Sequence, residues 1–136
     1  MAAPYLLDTN ICIYIARHHP PGVRKRFASL RPGEAAMSMI TYGELRFGAE
    51  KSQQPQQALE RLERLAELIP AEAPPLAAAE HYARLRARLE RAGKPIGGND
   101  LWIAAHALAE GLILVTNNMP EFQRIDGLRV ENWVDI

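Results

Sequence analysis

Apolar and polar positions alternate along this chain in blocks whose periods name their elements. Tyr5, Leu6 and Leu7 form a short apolar run that stops abruptly at Asp8-Thr9-Asn10. Ile11, Ile13, Tyr14 and Ile15 then recur with helical spacing until Pro20, Pro21 and Gly22 break it. Val23 to Leu30 reads as a second short helix, carrying Arg24, Lys25 and Arg26. After an Arg31-Pro32-Gly33 turn, Ala35 to Met39 predict a second strand, and Ser38 to Gly48 passes into a helix bearing Glu44. Ala58, Leu59, Leu62, Leu65, Ala66 and Ile69 mark an amphipathic helix, with a third strand expected near Leu68 to Ala71. Leu76 to Ala92 predicts another helix, with Tyr82, Leu85 and Leu89 on one face.

The stretch from Lys94 to Asn118 organises the rest. Pro95, Gly97 and Gly98 make a bend, Asn99 is a favoured helix cap, and Asp100 falls in the first turn, where the helix dipole stabilises a carboxylate. Leu101, Ile103, Ala104, Ala105, Ala107 and Leu108 make this helix apolar almost all round, so it should be buried, and Gly111 suits its end. Leu112 to Val115 is wholly apolar, as in a strand covered on both faces, and Thr116, Asn117 and Asn118 follow at its carboxyl end. Leu128 to Val130 offers a last edge strand before Trp133. Strands alternating with helices over short links predict a parallel sheet of four to five short strands between two helix layers. A single three-layer α/β/α domain over residues 1–136 is the expected architecture.

Composition narrows the function classes. The chain is 48% apolar, which is globular, and its 16 basic and 16 acidic side chains cancel. A nucleic acid could therefore be held only by a local basic patch. One cysteine, Cys12, excludes an intramolecular disulfide and points to a reducing compartment. Residues 1–16 lack the basic leader of a secretion sequence and are interrupted by Asp8, Thr9 and Asn10. No run approaches the roughly 20 apolar residues of a membrane span. A soluble, cytoplasmic protein with no membrane contact is expected.

Three acids hold equivalent places in the architecture. Asp8 follows the first strand, Glu44 lies in the helix after the second, and Asp100 opens the helix before the fourth. In a parallel sheet those positions converge at the carboxyl edge. Two charges about 4 Å apart interact by roughly 4 kcal/mol at an effective dielectric near 20, so clustered carboxylates either raise one another's pKa or hold a cation. Oxygen ligands without Cys or His favour Mg2+ or Mn2+, ions that activate water and stabilise charge on a phosphoryl oxygen. Taken singly, each acid also reads as a cap or a solvated side chain. Thr9, Asn10 and Thr116 sit beside the acids and could orient them by hydrogen bonds.

Four segments in order, YLLDTNICIYI, TYGELRFGAEKS, KPIGGNDLWIAAHAL and LILVTNNMPEFQRIDGLRVENW, resemble the PIN-domain family and, within it, the VapC toxins of bacterial toxin–antitoxin pairs. The resemblance runs over nearly the whole chain. It implies a metal-dependent endoribonuclease, commonly dimeric, inhibited by a small cognate VapB-like antitoxin and acting on structured RNA such as tRNA. Carried over residue by residue, Asp8, Glu44 and Asp100 match the family's metal-binding acids. A fourth acid in a Thr-x-Asp pattern is replaced here by Asn118 in Thr116-Asn117-Asn118. An amide oxygen can still ligate a hard cation but supplies no charge. Glu121, three residues on and at the start of a short helical turn, could reach back and restore it; otherwise it is a solvated acid.

The remaining candidates have plainer readings beside the functional ones. Arg17, Arg24, Lys25 and Arg26 could hold phosphates near the mouth of the site, or form a solvated face. Arg84 suits a surface pair with Glu80. Cys12 reads as a small buried apolar residue. His106 lies about 240° round the helix from Asp100, so it is expected to be structural, and His18-His19 lacks metal-ligand spacing. Tyr42, Phe47 and Trp102 read as core or interface. A phosphatase using Asp8 as nucleophile wants Asp-x-Asp, where Asn10 stands instead. In a receiver domain a Lys-Pro follows a buried strand, whereas Lys94-Pro95 follows a helix. The non-enzymatic alternative is a catalytically weak RNA- or protein-binding module on the same fold.

Overall fold

The computed structural model describes residues 4–134, so both ends of the domain expected over 1–136 lie outside the described residues. Five strands are β1 (Tyr5–Leu7), β2 (Ala35–Ser38), β3 (Ala71–Glu72), β4 (Ile113–Val115) and β5 (Val130–Glu131). They form one sheet in the order β3-β2-β1-β4-β5, and every pairing is parallel. The helices are α1 (Thr9–Arg17), α2 (Pro21–Ala28), α3 (Met39–Glu50), α4 (Pro55–Leu68), α5 (Ala77–Arg91), α6 (Gly98–Glu110) and α7 (Met119–Phe122).

Successive strand residues point to opposite faces, and this splits the core in two. Leu6 and Leu114 pack with Leu85, Leu89, Leu101, Ile103, Ala104 and Phe122 on the face covered by α5, α6 and α7. Leu7, Met37 and Val115 pack with Ile11, Ile15, Val23, Leu65 and Trp133 on the other face. Leu6, Leu7, Leu114 and Val115 are all 0% exposed, so the central strands, only a few residues long, are covered on both faces. Burying a side chain of this size contributes about 1.5–3 kcal/mol. The three-layer expectation holds.

Two topological facts prepare the site. The chain builds β1, β2 and β3 outward in one direction and then returns to lay β4 and β5 on the other side of β1. The carboxyl ends of β1 and β4 thus flank the switch point, where open α/β sheets leave a crevice. Local chemistry sets the helix ends there. Asp8 caps α1 itself, its Oδ1 accepting the Ile11 N–H at 2.9 Å, so the helix starts at Thr9, two residues before the apolar spacing resumes.

Some elements differ from the pattern in detail. Asn99 is not the cap of α6: Gly97 occupies that position in extended conformation, and Asn99 lies exposed inside the first turn. The helix thus begins at Gly98, two residues sooner than the pattern places it. Gly111 ends α6 in the left-handed region at φ 66°, as expected. β3 sits at Ala71–Glu72, its register set by Met37 and Ser38, and β5 begins only at Val130. Edge strands this short carry no periodicity of their own.

Candidate active site

Asp8 is the anchor. It is buried, 5% exposed, at the end of β1, with its backbone N–H on the Val115 carbonyl at 3.0 Å. Thr116, fully buried at the end of β4, donates its hydroxyl to Asp8 Oδ2 across the switch point. Burial pushes the Asp8 carboxyl above its ordinary range, the Thr116 and Ile11 hydrogen bonds pull it back, and the charge of Glu44 adds to the rise. The backbone N–H of Asn10 also favours the carboxylate, while the Asn10 side chain is exposed.

Glu44 reaches the same place from α3. Its Oε1 accepts the Thr9 hydroxyl at 2.7 Å, and Thr9 in turn lies 3.3 Å from the buried Thr41 hydroxyl. Asp100 stands half-buried in the first turn of α6, and its carboxyl is pushed up to about 6. Burial is the largest cause, followed by the charges of Glu121, Asp8 and Glu44. Glu121 comes from α7, where Asn118 Nδ2 donates to its Oε2 at 2.9 Å and the Thr116 hydroxyl accepts the Asn118 N–H at 2.9 Å. Four carboxylates from β1, α3, α6 and α7 thus share one electrostatic environment. The charges of Glu121, Asp8 and Glu44 all oppose ionisation of Asp100.

This donor set fits a hard divalent cation. It offers oxygen only, and the mutual repulsion that raises Asp100 is what a dication relieves. The acids are not packed into a tight cage. Among the described residues, the group whose ligating atoms all fall within 4.8 Å of one another is a different one, Glu72, His106 and Glu110. Open spacing suits a small dication that takes one or two carboxylates and keeps several waters. Gly97 and Gly98 form one wall of an open groove that Glu44, Asn99 and Asp100 complete.

The basic candidates fare unevenly. Arg26 is committed elsewhere: it donates to the Tyr5 hydroxyl at 2.8 Å, stacks over Tyr5 and Trp133, and lies 3.8 Å from Glu131. Arg24 and Lys25 are exposed on α2, and Arg17 is exposed at the end of α1, lining a groove between α1, α3 and α4. Arg84 pairs with Glu80 at 3.8 Å on the surface, and Cys12 is fully buried with its thiol pushed up by burial. Trp102 stacks on Tyr82 with ring centroids 3.8 Å apart, and Tyr42 packs at the edge of the core. Phe47, 64% exposed, lines a groove with Met39, Ile40 and Glu44 beside the acids. His106 is buried away from Asp100, as its angle on the helix implied, but its grouping with Glu72 and Glu110 is not foreseen by the chain's pattern. The i,i+4 spacing of His106 and Glu110 is the one local signal that points to it.

A parallel α/β/α sheet with four acids converging at its switch point is the arrangement of a class of nuclease domains. Comparison with known proteins places the chain within it. The PIN-domain model matches residues 5–128. A "tRNA(fMet)-specific endonuclease VapC" of Shigella flexneri is 46% identical over 129 residues, covering 95% of this chain and 97% of that protein. Among solved structures, VapBC-1 from nontypeable Haemophilus influenzae superposes with a TM-score of 0.88 at 42% identity, over 95% of this chain and 97% of its own. DNA-bound VapBC from Salmonella typhimurium gives 0.89 at 41% identity, over 98% and 99%. This chain belongs to the PIN-domain family, on its VapC branch. Nucleases of the family generally work with divalent metal ions.

Proposed function

We propose that this chain is a metal-dependent endoribonuclease, the toxin of a toxin–antitoxin pair, that hydrolyses phosphodiester bonds of a structured RNA of the tRNA class. The observation that carries the reading is the convergence of Asp8, Glu44, Asp100 and Glu121 on one place, where burial first and then the charges of Glu121, Asp8 and Glu44 push the Asp100 carboxyl up to about 6. Asp8, Glu44 and Asp100 hold the ion, Mg2+ or Mn2+, with Glu121 supplying the fourth charge. When bound, such an ion lowers the pKa of water and stabilises charge developing on a phosphoryl oxygen. The protein's own part is positioning. Thr116 and the Ile11 N–H fix the Asp8 carboxylate, Thr9 fixes Glu44, and Asn118 turns Glu121 toward Asp100. Exposed Arg17, Arg24 and Lys25 are available to the RNA backbone, with Arg26 stiffening α2 behind them.

The partner we propose is a small VapB-like antitoxin that covers the acids with a basic side chain, the toxin itself forming a homodimer of one-domain chains in the cytoplasm. No helix among the described residues is long and apolar enough to cross a membrane. The test is purified protein on total cellular RNA with Mg2+, with Mn2+ and with chelator. Discrete fragments that vanish with chelator are expected. RNA that is retarded but uncut under every condition would replace this reading with the binding module.

A further inference from the structure

The acid site does not account for every buried titratable group. His106 is 0% exposed in the middle of α6, about 9 Å along the helix axis from Asp100. Its Nδ1 lies 3.0 Å from Ser38 Oγ, the hydroxyl that also caps α3 by accepting the Ile40 N–H at 3.2 Å. A hydroxyl oxygen has two lone pairs and can accept from both. With Nδ1–H directed at Ser38, the lone pair of Nε2 is left free, and Nε2 is buried without any partner. Buried polar atoms are nearly always satisfied, so an orphan of this kind calls for a partner that the surrounding side chains could help to hold.

The surroundings say which ligand. Glu72 on β3 is in register with Ser38 on β2, so both project from the same sheet face toward α6. Glu110 lies one helical turn after His106, on the same side of α6. A ring nitrogen of His106 and a carboxylate oxygen from each glutamate all lie within 4.8 Å of one another. Burial holds the imidazole neutral against the charge of Glu72, the form in which a histidine ligates. Ser38 fixes ring orientation through Nδ1, as the outer partner of a metal-bound histidine commonly does.

We propose that Glu72, His106 and Glu110 form a second cation site, separate from the acid site, that takes a borderline transition-metal ion of the Zn2+ type. One imidazole and two carboxylates supply three protein ligands of types that bind Zn2+ and leave a fourth position for water, the ligand count of an open Zn2+ site. Imidazole shifts preference away from Mg2+, so the two sites of the chain differ in the ion they select. A bound ion ties the end of α6 to β3, the two-residue edge strand.

The site is tested on the full chain carrying Asp8→Asn and Asp100→Asn, which disables the acid site and keeps the two readings independent. Calorimetric titration with Zn2+ should show one ion per chain, not displaced by millimolar Mg2+, and Zn2+ should raise the thermal midpoint. Adding Glu72→Gln or Glu110→Gln should weaken binding by at least the roughly tenfold that loss of a mere outer partner causes, and should abolish the thermal shift. Unaltered metal-free unfolding in urea checks that the fold survives both changes. Zn2+ bound equally well by the Glu72→Gln, Glu110→Gln chain would assign the ion to surface histidines such as His18 and His19 and overturn the proposal. So would an Asp8→Asn, Asp100→Asn chain that takes up no Zn2+.

Discussion

Asp100→Asn should make the metal-free protein more stable at neutral pH while abolishing its activity. The Asp100 carboxyl is displaced from the ordinary 3.8 to about 6, chiefly by burial and then by Glu121, Asp8 and Glu44. Each pH unit of displacement corresponds to 1.36 kcal/mol, so ionised Asp100 costs the native state about 3 kcal/mol, less whatever partial solvation screens. The sign follows from proton binding. Between pH 4 and 6 the native chain holds a proton at this site that the unfolded chain has lost, so the contribution to stability is present at low pH and disappears as pH rises through about 6. An asparagine fits the same volume and never ionises. At pH 7.5 in chelator the variant should therefore exceed wild type by about 1–3 kcal/mol. At pH 5 wild type recovers about 1.4 kcal/mol through this group alone, and the gap should narrow by that amount. Urea unfolding of both proteins at the two pH values reads it directly, since groups common to both largely cancel. A variant less stable at pH 7.5, or a gap that does not change with pH, would refute the assignment of Asp100 to a crowded acid site.

Other side chains give outcomes of their own. Glu121→Gln removes the largest charge acting on Asp100 and should weaken Mn2+ binding about 10- to 100-fold in calorimetry, whereas Asn118→Ala, which only frees Glu121, should do less. Replacing Arg24 and Lys25 by Ala should reduce affinity for single-stranded RNA and flatten its salt dependence by about 0.7 in log–log slope for each phosphate no longer neutralised. In contrast, Arg26→Ala should register mainly as reduced stability, because its guanidinium lies on Tyr5 and Trp133. Ser38→Ala should cost about 1–3 kcal/mol in urea unfolding, since one hydroxyl caps α3 and holds His106 Nδ1.

Much of the fold and of the acid site is legible along the chain because its causes are local. A run of apolar residues ended by Asp8-Thr9-Asn10 is a strand meeting a helix cap, and Asp8 does cap α1. The all-round apolar face of α6 announces burial on any fold, and Gly111 marks its end by a left-handed conformation that glycine adopts more freely than other residues. Alternation of strand and helix fixes a parallel sheet, and that geometry alone sends Asp8, Glu44 and Asp100 toward one edge. What only the folded chain decided are relations between residues far apart in sequence. Thr116 meets Asp8 across 108 positions because β4 lies beside β1, and no periodicity specifies which strand will be that neighbour. Arg26, one of three adjacent basic residues, leaves its neighbours because the packing of α2 sets it over two aromatic rings from opposite ends of the chain. Glu72, on a strand too short to carry a pattern, meets His106 only through the register of β3 with β2. Local pattern specifies elements and the positions they expose, whereas burial, strand order and register decide which of those positions come within reach of one another.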